Sequence, residues 1–403
     1  VKDNQTPEWL TKIQYNSWEP EIIISGLSIA FFFILPKYIY NFTAMLIQDY
    51  GANAFLSSVQ YAIMIFIVTS LQVLFMGHLV LRGFWAGLVG LSYVFPQGIV
   101  REHLNNELKD CTFKKPIDLV IEVEKICSLI FSFAFIIILY LIKIITMYAV
   151  LLAGFILLYE FKLNSGETQI VQVSLLAVLS TIFIGYLKLK NTKFAKRTAN
   201  SVTSNLIYTF STNISKKTFV MILVGFAIIT LPLSVKSISK FRFDVQDKLK
   251  SPESSMTYVD QNNYLDTRGN GLRVQRAVLD SFLIEKDYVE LNISSYRYDE
   301  ILLRDIHANY DKYKAIMPGI EPDKLNQANL YKVFIDNEPI RVNDWFLNKD
   351  SDHSQKFLTA YLPVDSLSAG LHTLKIERVS WRKKEKDFVL LENWISIPFK
   401  IKR

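Results

Sequence analysis

LRGFWAGLVGLSYVFPQG, residues Leu81 to Gly98, is the stretch on which the topology of the chain turns. It is almost wholly apolar, yet it carries Gly83, Gly87, Gly90 and Gly98, with Pro96 near its end. A helix needs about 20 apolar residues to cross a bilayer. This run falls short, so length alone leaves a span, a surface segment and a soluble core helix open. Its charged flanks, Arg82 and Arg101, have to be read against the rest of the chain.

The chain has 403 residues, 50% of them hydrophobic, and the apolar ones crowd into the part before Val235. From about Lys240 the composition is that of a water-soluble domain. The sequence therefore predicts an α-helical integral membrane domain over 1–239 and an extracytoplasmic β-rich domain over 240–403. Five apolar runs read as spans: 22–40, 52–81, 126–159, 170–187 and 218–235. As one helix, 126–159 would be about 50 Å long, more than a bilayer core of about 30 Å. No turn residue divides it, so one long helix that tilts or protrudes is expected. No small-residue cleavage pattern follows the first run, which reads as a retained anchor.

Charge orders these spans. Segments 1–21, 82–125 and 188–217 hold two, six and seven Lys/Arg, whereas 37–51 and 160–168 hold one each. Basic residues stay on the cytoplasmic side, so the N-terminus is expected inside and the C-terminal domain outside. The overall charge of +7 equals the seven bases in 188–217. A basic loop between apolar runs points to the cytoplasm and not to nucleic acid. Both ends of 81–98 then face the cytoplasm. The stretch is predicted as a re-entrant or interfacial helix, with Gly83, Gly87 and Gly90 allowing close helix packing and Pro96 limiting continuation.

The soluble half carries strand signals. Tyr331–Asp336 alternates and ends at Asn337, a turn former; 357–363, 372–379, 288–296 and 395–401 are further strand candidates. Short strands at this spacing suggest a β-sandwich. The pairing of FIDNEPI with the later LSAGLHTLKI resembles many bacterial immunoglobulin-like domains, over roughly 329–403. The resemblance implies a fold class only. Cys111 and Cys127 both precede this half, so it has no disulfide framework, as suits a bacterial envelope protein.

Signals for chemistry are few. There is no HExxH, no CxxC and no phosphate-binding glycine loop, and the five histidines are scattered. Asp305, His307 and Asp311 read as a solvated face, and TRGNGLR (267–273) as a turn. No catalytic residue, cofactor or metal site is assigned. The polar residues within apolar runs stand out instead. Lys143 sits in the middle of 126–159, where a charge costs about 3 kcal/mol and needs a partner, water or a route to the interface. Gln60, Gln72 and His78, with Ser57, fall within roughly 120° of one helix face. Met64, Val68, Leu71 and Phe75 fill the middle of that arc, which favours helix packing over a wet pore. IDLVIEVEKI (117–126) reads as an amphipathic surface helix.

The expected function is that of a non-enzymatic component of a bacterial inner-membrane assembly. Its membrane helices would join a partner protein or a second copy, and its outer domain would bind protein or glycan. The competing expectation is an oligomeric channel or transporter using Lys143 and the polar face that carries Gln60, Gln72 and His78.

Overall fold

The structure is a computed structural model describing residues 18–105, 107, 111–160, 174, 202–239, 241, 259–268, 271–342, 344–349, 354–382 and 387–402. Its chain groups into two compact units.

The first unit holds most of the helical part. Helix α1 covers Trp18–Gln48, α2 Ala54–Val94, α3 Pro116–Glu160, α4 Val202–Asn213 and α5 Lys216–Ile238. Among the described residues, α1 and α2 are the helices long and apolar enough to cross a membrane. The expected count of five spans is not supported: among the described residues these two are the candidates. The run 126–159 lies in α3, which is one uninterrupted helix of 45 residues. The run 170–187 falls outside the described residues except for Ser174. The run 218–235 lies within α5, a helix of 23 residues that continues through Pro232.

The stretch 81–98 also differs from expectation. It is no separate re-entrant segment, because α2 runs unbroken for 41 residues and takes Leu81–Val94 as its last turns. The glycines weaken a helix by about 1 kcal/mol each but do not interrupt its hydrogen-bond ladder. The stop comes at Phe95, where the following Pro96 disfavours helical backbone. Gly98 then turns the chain with a φ of +74°, and its N–H bonds the Phe95 carbonyl at 3.0 Å. Phe32 and Phe75 stack at 5.9 Å between α1 and α2, and Ile65, Val68 and Leu71 are buried along the same helix.

The second unit contains residues 37–61, which end α1 and begin α2, together with 239–403. Among the described residues, nine strands make two sheets. They are β1 (Ala277–Leu279), β2 (Leu283–Ile284), β3 (Tyr288–Ser294), β4 (Tyr331–Ile335), β5 (Glu338–Ile340), β6 (Phe346–Lys349), β7 (Lys356–Pro363), β8 (Gly370–Arg382) and β9 (Asp387–Ile401). One sheet has the order β1-β3-β7-β6, the other β2-β9-β8-β4-β5. All pairings are antiparallel except β2 with β9. Alternating side chains of both sheets enter one apolar core, including Leu291, Ile293 and Ala360 from the first and Ile376, Ile397 and Phe399 from the second. The strands expected from the sequence all form. Asp336 and Asn337 join β4 to β5 with φ of 50° and 69°, the left-handed pair that a two-residue hairpin requires. Helices α6 (Arg297–Ala308) and α7 (Tyr310–Ile316) lie between β3 and β4 in sequence, and Leu302 and Ile306 of α6 complete the core.

Candidate functional site

The first unit buries a charge cluster centred on Arg82, near the start of the 81–98 stretch. Its guanidinium, 1% exposed, bonds Glu21 of α1 and both carboxylate oxygens of Glu124 of α3, the latter at 2.5 and 3.1 Å. His78, one turn earlier in α2, places Nε2 3.4 Å from the same Glu21 oxygen, and its Nδ1 lies 2.8 Å from Ser25 Oγ. Trp85, one turn later, stacks under Arg82 at 5.2 Å and against Trp18 at 5.9 Å. Positions 78, 82 and 85 share a helix face by the i, i+4, i+7 rule. Burying an ion costs several kcal/mol unless it is paired, and a guanidinium fork meets two carboxylates well. The cluster thus joins α1, α2 and α3 through their polar residues. His78 Nε2, Arg82 Nε and Trp85 Nε1 have no hydrogen-bond partner among the described residues.

The sequence-derived polar set is dispersed by the fold. His78 belongs to the cluster. Gln72 instead donates to the Phe32 carbonyl at 2.7 Å. Gln60 is half-buried about five turns before His78. Lys143 lies on α3, with its side chain outside the described set. At Gly83, Gly87 and Gly90 an added Cβ would meet nothing within 4 Å, so among the described residues no helix packs closely there. In the sequence Glu21, Arg82 and Glu124 stand beside apolar runs and read as flanking charges, not as a buried cluster. The available signal was His78-x3-Arg82 on one face of a long apolar helix.

In the second unit the end of α1 is locked to the segment before β1. Asn41 donates to the Gly271 carbonyl at 2.5 Å and accepts from the Arg273 N–H at 3.0 Å. Gln48 donates to the Val274 carbonyl at 2.7 Å and accepts from Arg273 at 3.2 Å, while Arg273 pairs with Asp49 at 2.8 Å. Gln355 holds Val274 from the other side, through its N–H at 2.9 Å and its carbonyl at 2.7 Å. Of TRGNGLR, expected as a turn, Gly269 and Asn270 lie outside the described residues, and Gly271 has a φ of +93°. What sequence reasoning missed is that its backbone seats the polar end of a helix more than 220 positions earlier.

A second buried ion sits between the sheets and α6. Arg378 of β8 pairs with Asp299 at 2.5 Å, and its guanidinium lies 5.6, 5.9 and 5.5 Å from the rings of Tyr296, Tyr331 and Trp394. Burial disfavours its charge, but Asp299 and the phenol oxygens outweigh this and hold its pKa above the usual value. Burial, and then Asp299, push the Tyr331 phenol well up.

The outer side of the four-stranded sheet is different. Tyr288, Tyr361 and Phe346 form an exposed row with centroid separations of 5.3 and 6.3 Å, and Lys286 lies 5.3 Å above Tyr288. Leu347, on the same edge strand, is 64% exposed. His307 and Asp311 are exposed, and among the described residues no group of three His, Cys, Asp or Glu side chains could hold a metal ion. No protein-family model, curated protein or solved structure matches the chain.

Proposed function

We propose that this protein is a non-enzymatic integral membrane component of a bacterial envelope assembly, with its N-terminus cytoplasmic and its β-domain extracytoplasmic. The β-domain is read as an immunoglobulin-like sandwich. The sheet orders support this: β1-β3-β7-β6 and β9-β8-β4 reproduce the A-B-E-D and G-F-C arrangement of that fold, with β5 as an added edge strand. Such domains present binding faces, a fold-level analogy that carries no ligand. The observation that carries the functional reading is the exposed row Tyr288, Tyr361 and Phe346. Large rings exposed together on one sheet face suit a protein or glycan partner, since aromatic residues are enriched where surfaces meet.

The test is cross-linking and co-purification of the intact chain from native membranes, beside a Phe346→Ser/Tyr361→Ser variant. A partner held by the wild type and lost from the variant supports the reading. Recovery of both as lone monomers overturns it. A second reading, an oligomeric channel or transporter, draws on the Glu21–His78–Arg82 cluster, because buried ionisable groups in membrane helices mark ion and proton routes. Reconstituted protein without ion or solute flux, equally silent as Lys143→Ala and His78→Gln, removes it.

A further inference from the structure

An edge strand offers unpaired N–H and C=O groups to any strand that comes alongside. The two sheets of the β-domain end in β1, β6, β2 and β5, and three of these edges are blocked. Along β1, Tyr264 forms a bridge to Leu279, and the Leu265 N–H bonds the Leu279 carbonyl at 2.9 Å. Strand β2 is two residues long. Strand β5 carries Pro339, which has no N–H to give. Strand β6 pairs with β7 and, among the described residues, with no other strand. It holds no proline, its register with β7 is continuous, and all four of its residues are exposed.

The ladder shows which groups of β6 are open. Lys356 of β7 accepts from the Ser295 N–H at 3.0 Å, so its backbone turns toward β3. Backbone groups alternate in direction along a strand, so Phe357 and Thr359 turn toward β6, where they face Asn348 and Phe346. Leu347 and Lys349 therefore turn their N–H and C=O away from β7. The Asn348 side chain accepts the Lys349 N–H at 2.8 Å. Leu347 is left in the middle of the open edge, its side chain 64% exposed.

We propose that β6 pairs antiparallel with β6 of a second copy of this chain, about a two-fold axis through Leu347. The edge sequence selects this occupant. With the outer faces of the two sheets continuous, Leu347 faces Leu347 of the second copy, Phe346 faces Asn348, and Lys349 faces Trp345. The leucines cover each other and the lysine meets an aromatic ring, so over 345–349 no like charges are opposed. Leu347 and its counterpart exchange two N–H···O=C bonds. The row Tyr288, Tyr361 and Phe346 stays on the outer face, so this interface is additional to the surface that carries the functional reading.

The test co-expresses two differently tagged copies of the full chain and measures how much of one co-purifies with the other from membranes. Wild-type copies are expected to co-purify. Because position 347 faces itself, Leu347→Lys in both copies, or Leu347→Glu in both, should lower recovery by about tenfold, and one copy of each should restore it. That restoration separates lost pairing from misfolding. With Cys111 and Cys127 replaced by Ser, Leu347→Cys should form a reducible dimer, since paired residues about 5.5 Å apart are within disulfide reach. Glu338→Cys, on the blocked edge β5, should not. Wild-type copies that do not co-purify, charge variants that bind as wild type, a mixed pair that restores nothing, or equal cross-linking at 338 and 347 each overturn the proposal. A different protein released by Leu347→Lys also overturns it. Leu347→Lys leaves the aromatic row intact, so a partner lost only from Phe346→Ser/Tyr361→Ser bears on the functional reading and not on this edge.

Discussion

Replacing Asp299 by Asn tests the energetic account of the β-domain at its most demanding point. The substitution keeps the volume of a side chain that is 1% exposed and removes its charge. The Asn oxygen can still accept the Tyr296 N–H, which Asp299 does at 3.1 Å in the capping box that starts α6. What is lost is the counter-ion of Arg378, whose guanidinium is left among three aromatic rings. Breaking a buried pair from one side costs about 3–5 kcal/mol, because the remaining charge stays buried. At about 2–4 °C per kcal/mol for a unit of this size, melting should fall by roughly 6–20 °C. The assay is thermal unfolding of the intact chain in detergent, followed by tryptophan fluorescence, since Trp394 lies against both Arg378 and Tyr331. Asp299→Asn/Arg378→Met, which removes both charges, should recover much of the loss. A single variant melting within about 2 °C of wild type, or a double variant that simply adds the two losses, refutes the reasoning.

Other substitutions probe the remaining networks. Arg82→Met should destabilise the helical signal in detergent by about 3–5 kcal/mol, since it strips Glu21 and Glu124 of their shared cation; an unchanged melt would dismiss the three-helix clamp. Asn41→Leu and Gln48→Leu each delete a side chain that donates to and accepts from 271–274 and should cost about 1–3 kcal/mol, visible as faster amide exchange at Arg273 and Val274. His372 carries a pH signature. Burial lowers its pKa, but hydrogen bonds to Asp336 at 2.6 Å and to the Ser368 carbonyl at 2.8 Å outweigh burial and raise it above 6.5. A folded pKa above the unfolded one stabilises fully below pH 6.5, and the gain disappears as pH rises through the folded value. Stability of the β-domain should decline across that window in the wild type, and His372→Gln should flatten the decline.

Much of the β-domain is legible in the sequence. Strands β3, β4, β7, β8 and β9 follow from period-two alternation, and the turn at Asp336-Asn337 from residues that tolerate positive φ. These signals are local, arising from neighbours within a few positions. The unbroken course of α3 is also legible, because no turn residue interrupts its apolar run. The span count is not. Apolarity marks that a helix is buried in something, not whether that something is lipid or protein, and among the described residues two helices are long and apolar enough to cross a membrane.

The remaining features rest on groups that only folding brings together. LRGFWAGLVGLSYVFPQG looks like a separate segment because Arg82 reads as a water-facing flank. In the folded chain Arg82 is neutralised by Glu21 and Glu124, 61 and 42 positions away, so the helix passes straight through it. Gln72 looks like one member of a polar face, yet its partner is a carbonyl made available by a proline on another helix. Local sequence sets the backbone's preferred conformation at each point. Which buried charge or carbonyl is satisfied, and by which residue, is decided by tertiary proximity, because the cost of leaving it unpaired depends on surroundings that no short stretch contains.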